Sequence, residues 1–418
     1  MCHGPVVAGS PWAGRYNVAP DYTRAALAGK AITNRSIAMQ KLRLFTPGPT
    51  MIPAEVMLHM AEPMDHHRTS GFRELIKEVT EQLQYLFQTT GSCLTFTGSG
   101  SSAGEAAIVS CCYGGKHKAL CVRNGKFSER WQEICDAFDI PNVSYDIEWG
   151  HGAKGPDIEK QLDANPDVDT VIVVHSETST AAVSDLEAIA EVTRRRDKIL
   201  IVDGITAVGA IPVKMDEWGV DLYITGSQKA LMLPPGLAFV AVSDRAWKRI
   251  ESIKPHAFYN SLLRYRKSMK SFDTPYTPAI TLVKGVHWVL ERIRDEGLES
   301  IWKRTRLLAD ATRAAAKAMG IELFATDPVD SVTSLLVPAG VDEAALRKTM
   351  RSKHGMQIAG GQAQLKGKII RISHMGYCDQ FDTLSVIAAL EQTLHAMGHG
   401  VKLGAGLTAA QTVLAQSG

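Results

Sequence analysis

The sequence has no apolar run approaching the ~20 residues that a helix needs to cross a bilayer. Its apolar runs are short, from Ile199–Val202 with a charge at once on either side to Leu237–Val242 between Gly236 and Ser243. Charge of one sign is also missing: 46 Lys and Arg stand against 44 Asp and Glu, for a formal net charge of +2. That balance lacks the electrostatic footprint of a nucleic-acid or membrane-surface binder. Cysteine is sparse and unpaired, with seven scattered residues (Cys2, Cys93, Cys111, Cys112, Cys121, Cys135, Cys378) and no Cys-x-x-Cys. An odd, unpatterned set argues against a disulfide framework or a zinc ribbon and predicts a reduced, cytoplasmic interior. The nearest approach to metal-ligand spacing is Asp65-His66-His67 with His59. Adjacent histidines diverge on most backbones and no paired Cys or Glu supports these, so no metal is predicted. At 45% hydrophobic and 22% charged, the 418 residues exclude disorder as the main state and predict one or two sizeable cores.

Acid is nearly absent from residues 1–40, where Asp21 alone faces Arg15, Arg24, Lys30 and Arg35. There is no signal-peptide core behind a charged start. The segment reads as a mobile arm or as sequence upstream of a start at Met39; an organelle transit peptide is the remaining alternative. From Leu42 onward, short β-branched runs alternate with helical periodicity, the pattern of an α/β protein with a mostly parallel sheet. Strands are predicted at Cys93–Phe96, Lys118–Arg123, Thr170–Val174, Lys198–Val202, Leu222–Thr225 and Leu237–Val242. Between them, Gly71–Phe87 repeats Phe72, Leu75, Ile76, Val79, Leu83, Leu86 and Phe87 at spacings of three and four, which marks one buried helical face. A large domain over 42–294 and a smaller α+β domain over 295–400 are expected. In the smaller domain Glu299–Met319 reads as a helix closed by Gly320, and Ile321–Phe324, Val332–Val337 and Lys368–Ser373 read as strands. The Ala- and Gly-rich tail, 401–418, is expected to be only partly ordered.

Chemistry concentrates at the predicted strand ends. Asp203 stands at the carboxyl end of an apolar strand, where open α/β sheets bind ligands; the bland alternative is an Asp capping the next turn. Lys229 sits in Gly226-Ser-Gln-Lys-Ala-Leu231 among small and apolar neighbours. Desolvated, its amine would fall below the free value near ~10.4 and become a Schiff-base nucleophile; otherwise it is a surface lysine. Thr97-Gly-Ser-Gly-Ser-Ser102 leads from a strand into a small-residue helix, an arrangement suited to phosphate. Ala103 occupies the place of the third glycine, so the dinucleotide fingerprint is not met. A lysine, a strand-end carboxylate and a phosphate cup together are the complement of a pyridoxal phosphate site.

Leu44-Phe-Thr-Pro-Gly-Pro-Thr50, His67-Arg-Thr-Ser-Gly-Phe-Arg73, Thr97-Gly-Ser-Gly-Ser101, Glu177-Thr-Ser-Thr180, Val202-Asp203, Gly226-Ser-Gln-Lys-Ala-Leu231 with Pro234-Pro-Gly236, Pro275-Tyr-Thr-Pro278 and Arg371-Ile-Ser-His-Met-Gly376 resemble the class V aminotransferases. The alanine–glyoxylate and serine–glyoxylate members are most similar. The resemblance implies the type I fold of pyridoxal phosphate (PLP) enzymes, with a mostly parallel central sheet in a large domain and a smaller C-terminal α+β domain. It implies ping-pong transamination between a small amino acid, serine or alanine, and a 2-oxo acid such as glyoxylate. Carried over, Lys229 is the Schiff-base lysine and Asp203 pairs with the pyridine nitrogen. Thr178 bonds near the ring oxygen, Ile205 lies on one ring face and Phe127 on the other. Gly100, Ser101 and Gln228 hold the phosphate, Thr277 reaches the phosphate of a neighbouring subunit in a homodimer, and Arg371 forks the substrate α-carboxylate.

Two positions depart from the family pattern. Ala181 stands where glycine is common, so a left-handed backbone there would carry strain, and Ser101 replaces a larger hydrogen-bonding residue. Two competing functions share the fold. A cysteine desulfurase-like lyase typically has His before the lysine, where Gln228 stands here, and needs a mobile-loop cysteine, for which Cys378 is the only later candidate. The other is a non-catalytic subunit or binding module.

Overall fold

A computed structural model describes residues 40–254 and 256–416; of the expected N-terminal extension or arm, 1–41, residues 1–39 lie outside the described residues. Strands β1 (Ser92–Gly98), β2 (Lys118–Arg123), β3 (Asn142–Asp146), β4 (Val168–Val174), β5 (Ile199–Asp203), β6 (Leu222–Gly226) and β7 (Gly236–Val242) form one sheet in the order β1-β7-β6-β5-β4-β2-β3. β7 runs antiparallel to both neighbours and every other pairing is parallel. The parallel strands therefore end along one edge, where Val174 pairs with Asp203 and Asp203 with Ile224. No helix among the described residues is long and apolar enough to cross a membrane.

A sheet covered on both faces needs strands that are apolar on both sides. Val171 and Val173 enter one core cluster and Ile172 and Val174 the other; Leu200 and Val202 alternate with Ile199 and Ile201 in the same way. Helix α1 (Ser70–Phe87) starts where Thr69 Oγ1 accepts from Phe72 N at 3.2 Å and stops at Gln88, whose φ is 53°. It buries Phe72, Ile76, Val79, Leu83, Leu86 and Phe87, the face that its periodicity predicts apart from the partly buried Leu75. Helices α2 (Gly100–Cys112) and α3 (Lys126–Ala137) follow β1 and β2 and cover the other face.

Helix α4 (Ile280–Glu296) ends at Gly297, and α5 (Leu298–Ala318) leads into the smaller C-terminal domain. There β8 (Val332–Leu336), β9 (Ala359–Gly360) and β10 (Ile369–Ser373) form a sheet in the order β8-β10-β9. Helices α6 (Glu343–His354) and α7 (Gln380–Ala396) pack on it. The strand predicted at Ile321–Phe324 is reduced to a single bridge from Leu323 to Leu335. The tail is also more ordered than its composition suggests, because 405–415 form helix α8 (Ala405–Ala415). Ala410 is buried in the small-domain core, and Glu391 accepts from Gly404 N and Gly406 N at 2.9 and 2.5 Å, satisfying N–H groups at the helix start.

The approach of α2 to α3 depends on Gly104: a Cβ there would lie 2.0 Å from Trp131 Cζ3, inside a side chain that is 2% exposed. Gly104→Ala is accordingly expected to lower the unfolding free energy by about 1–3 kcal/mol through overpacking, despite alanine's better helix propensity. Urea denaturation checks this, and an unchanged or raised midpoint would show that the two helices can separate freely.

Candidate active site

Asp203 is the last residue of β5 and is 4% exposed. One carboxylate oxygen accepts from Ile205 N at 2.8 Å, and the other has no partner among the described residues. Burial pushes its pKa up to about 7 against the pull of that bond, Lys229 and Arg130.

Lys229 lies in the turn between β6 and β7, and a set of local bonds holds that turn. Ser227 Oγ donates to Pro234 O and accepts from Leu237 N, Met232 N reaches Lys229 O, and Thr50 Oγ1 donates to Lys229 O at 2.7 Å. The amine donates to Pro47 O at 2.6 Å, and a Cβ on Gly48 would sit 2.3 Å from Nζ. Lys229 has no carboxylate partner within ion-pair distance among the described residues, and burial lowers its pKa to about 8. Near neutral pH such an amine is partly free to act as a nucleophile and base.

Around these two groups the structure brings together most of the residues singled out in the sequence. Phe127 lies in the first turn of α3, with the Lys229 amine 6.0 Å from its ring centroid. Gly100 opens α2, and Ile205 Cδ1 packs so close that a Cβ on Gly100 would lie 2.4 Å away. Gln228 precedes Lys229; its Oε1 is buried beside Gly226 and has no hydrogen-bond partner among the described residues. Ser101 accepts from Arg130 Nη1 at 3.1 Å. Thr178 is buried and its hydroxyl meets that of Thr206 at 3.0 Å. Thr277 is exposed on the loop before α4 and makes no hydrogen bond to any of the others among the described residues.

Arg371, on β10, enters from the small domain and is 4% exposed. Its Nε and Nη2 donate to Gly360 O at 3.0 and 2.7 Å, and Nη1 donates to Thr178 O at 2.7 Å. Three of its five N–H groups are thus spent on backbone, which leaves one on each terminal nitrogen, the pair that a carboxylate engages. Burial lowers its pKa to about 10, so it stays charged at neutral pH.

Ala181 takes the left-handed conformation in spite of its side chain, with φ at 63°. Bonds from Ala181 N to Glu177 O at 2.8 Å and from Val329 N to Ala181 O at 2.9 Å hold it there. The strain expected from the sequence is present and is carried by its surroundings.

Sequence reasoning missed four contributors. Arg130 lies three residues after Phe127, on the same helical face, with its guanidinium 5.3 Å from the Phe127 centroid; that spacing was the available signal. Thr206 and the carbonyls of Pro47 and Gly360 carry no such signal, since their roles follow from tertiary position. On the surface, His59 Nδ1 meets Glu62 Oε1 at 2.8 Å, and His66 Nδ1 accepts from Arg68 N at 3.1 Å.

A family model described as aminotransferase class-V matches residues 43–382. The soluble hydrogenase small subunit of a Synechococcus species is 38% identical over 379 residues, spanning 90% of this chain and 98% of that protein. Serine–glyoxylate aminotransferase of Methylorubrum extorquens is 35% identical over 387 residues, spanning 90% of this chain and 96% of that one. Among solved structures, ureidoglycine–glyoxylate aminotransferase of Bacillus subtilis superposes with a TM-score of 0.86 at 29% identity, covering 91% of this chain and 100% of that chain.

The buried carboxyl makes a prediction about the protein without cofactor. Asp203 has a folded pKa of about 7, above its ordinary value of 3.8. The folded state therefore holds a proton that the unfolded chain releases, and stability falls as pH rises from about 4 to about 7. Asp203→Asn is expected to stabilise the cofactor-free protein near pH 8 by about 2–4 kcal/mol, and by close to nothing near pH 4. Unfolding curves for both proteins across that range test it, and parallel curves would contradict it.

Proposed function

The chain belongs to the class V aminotransferases, and from that premise we propose that it moves an amino group from a small amino acid, serine or alanine, to a 2-oxo acid such as glyoxylate. The cofactor of the family is pyridoxal phosphate, and the residues present fit it. Asp203 is a buried carboxyl whose free oxygen lacks a cation, and Gln228 Oε1 is buried without a partner. Glycines at 48 and 100 leave room where a Cβ would collide with Lys229 and Ile205. The observation that carries the reading is the buried Lys229 amine, whose one hydrogen-bond partner among the described residues is the Pro47 carbonyl.

Bound pyridoxal phosphate supplies an aldehyde and an electron-withdrawing ring. Lys229 would hold the aldehyde, and its amine, with a pKa near 8, would take and return a proton at the substrate Cα. Asp203 would keep a proton on the ring nitrogen, and that positive charge would face the buried carboxylate. Phe127 and Ile205 would bracket the ring, Thr178 would bond its oxygen, and Gly100, Ser101 and Gln228 would hold the phosphate. Arg371 orients the donor by its carboxylate, aligning the Cα–H bond toward Lys229. We place the exposed Thr277 against the phosphate of a second copy, in a homodimer with shared sites. Serine as donor is supported by the serine–glyoxylate relative.

A desulfurase needs an accessible thiolate, whereas Cys378 is 8% exposed and burial pushes its thiol up to about 12. The name of the Synechococcus relative invites a subunit without turnover. Against it stand Lys229, Asp203 and Arg371, all kept and arranged around one cleft.

An absorbance spectrum of the purified protein, before and after adding serine, alanine, aspartate and cysteine in turn, tests this reading. A visible band is expected that serine or alanine converts to a near-ultraviolet amine form, and Lys229→Ala is expected to lose the band and all turnover. A protein that stays colourless with added pyridoxal phosphate, or a Lys229→Ala protein that transaminates at the wild-type rate, would refute it.

A further inference from the structure

Glu177 is fully buried, and the mechanism above gives it no role. Its carboxylate does not meet a basic side chain; it meets backbone. Oε1 accepts from Ser179 N at 2.9 Å, from Ser179 Oγ at 2.6 Å and from Phe127 N at 3.4 Å, and Oε2 accepts from Ser128 N at 2.9 Å. Ser179 Oγ in turn accepts from Lys126 N at 2.9 Å. The first three N–H groups of α3, which have no partner within the helix, are therefore all taken up by Glu177 and Ser179. The negative charge also lies at the positive end of the helix dipole. Gly125 makes the approach possible, since a Cβ there would stand 2.3 Å from Glu177 Cγ.

Two features of the cleft hang from this clamp. Phe127 is the second residue of the clamped turn, so its backbone is fixed by the carboxylate. Between Glu177 and Ser179 stands Thr178, whose carbonyl accepts from Arg371 Nη1 at 2.7 Å and whose hydroxyl meets Thr206. The same tripeptide thus ties the ring of the large domain to the guanidinium of the small one. We propose that Glu177 is a positioning residue that, through the first turn of α3 and the carbonyl of Thr178, fixes the Phe127 ring and the Arg371 fork relative to each other. The proposal rests on the cofactor reading above.

Glu177→Gln keeps the shape of the side chain, removes its charge and turns an amide NH2 toward N–H donors. Cofactor-free wild-type and variant proteins are titrated with pyridoxal phosphate and followed by tryptophan fluorescence and visible circular dichroism, with far-ultraviolet dichroism to verify folding. Glu177→Gln is expected to weaken cofactor binding by at least about tenfold, through loss of charge-assisted bonds. It is also expected to change the amplitude of the visible dichroism, which reports ring orientation, and to raise the KM for serine more than it lowers kcat. Ser179→Ala keeps the carboxylate, and it should move the same readouts in the same direction by less. Glu133→Gln removes a charge from the exposed side of the same helix and should move none of them. A folded Glu177→Gln protein with wild-type affinity and dichroism overturns the clamp. If that variant does not fold, wild-type values for Ser179→Ala overturn it instead. A wild-type protein that takes up no pyridoxal phosphate overturns the cofactor reading, a different outcome from either.

Discussion

A carboxyl group at the end of a buried strand, with one hydrogen bond and no cation, costs several kcal/mol to keep ionised. Asp203 is in that position, and most of the cleft follows from it. The parallel sheet places it there, because β4, β5 and β6 all end on one edge and the chain must turn away at each end. The turn after β5 supplies the single bond from Ile205 N, and the turn after β6 supplies Lys229. Lys229 and Asp203 raise and lower one another's protonation without forming an ion pair. Each stays available to a third group, and the unpaired state is what makes the amine reactive.

Backbone carbonyls, more than side chains, hold the cationic groups in place. Pro47 O holds Lys229, while Gly360 O and Thr178 O hold Arg371. A carbonyl neutralises no charge, so it can orient a cation without lowering its affinity for an incoming anion as a carboxylate would. Arg371 illustrates the consequence. Its three protein bonds fix the plane of the guanidinium, and the charge remains for the substrate.

This reliance on carbonyls explains which parts of the site could be read from the sequence. Asp203, Lys229 and the Gly98–Ser102 loop were legible because their chemistry is local: a strand end, a turn of small residues, a helix start. Pro47 and Gly360 were not, because any residue can offer a carbonyl and only the fold decides which one arrives. The strands of the large sheet were legible for a related reason, since runs apolar on both faces have few other uses. Ile321–Phe324 has the same local character, yet pairing with β8 is limited to one bridge, and composition does not report whether a partner strand lies alongside. The tail misled in the opposite direction. Its alanines and glycines allow α8 to lie close on α5, and Glu391 closes the helix start from another element.

The loop from Ser176 to Ala182 shows how the strain and the chemistry are linked. Ser176 and Glu177 are strand and Thr178–Ala181 is a turn closed by Ala181 N on Glu177 O, in which Glu177 and Ser179 bond to the start of α3 while Thr178 meets Thr206. After Thr180 the chain reverses sharply so that Ala182–Val183 pairs with Ser176–Glu177, and Ala181 takes the left-handed conformation at a cost of about 1–2 kcal/mol. Glycine would relieve that strain but would also remove a methyl group buried in the main core cluster, worth a comparable amount. The two terms nearly cancel, so alanine can stand where the family commonly has glycine. The reversal itself is what the site requires: it brings Thr178 O to Arg371 and Val329 N to Ala181 O, joining the two domains within a few residues of the cleft.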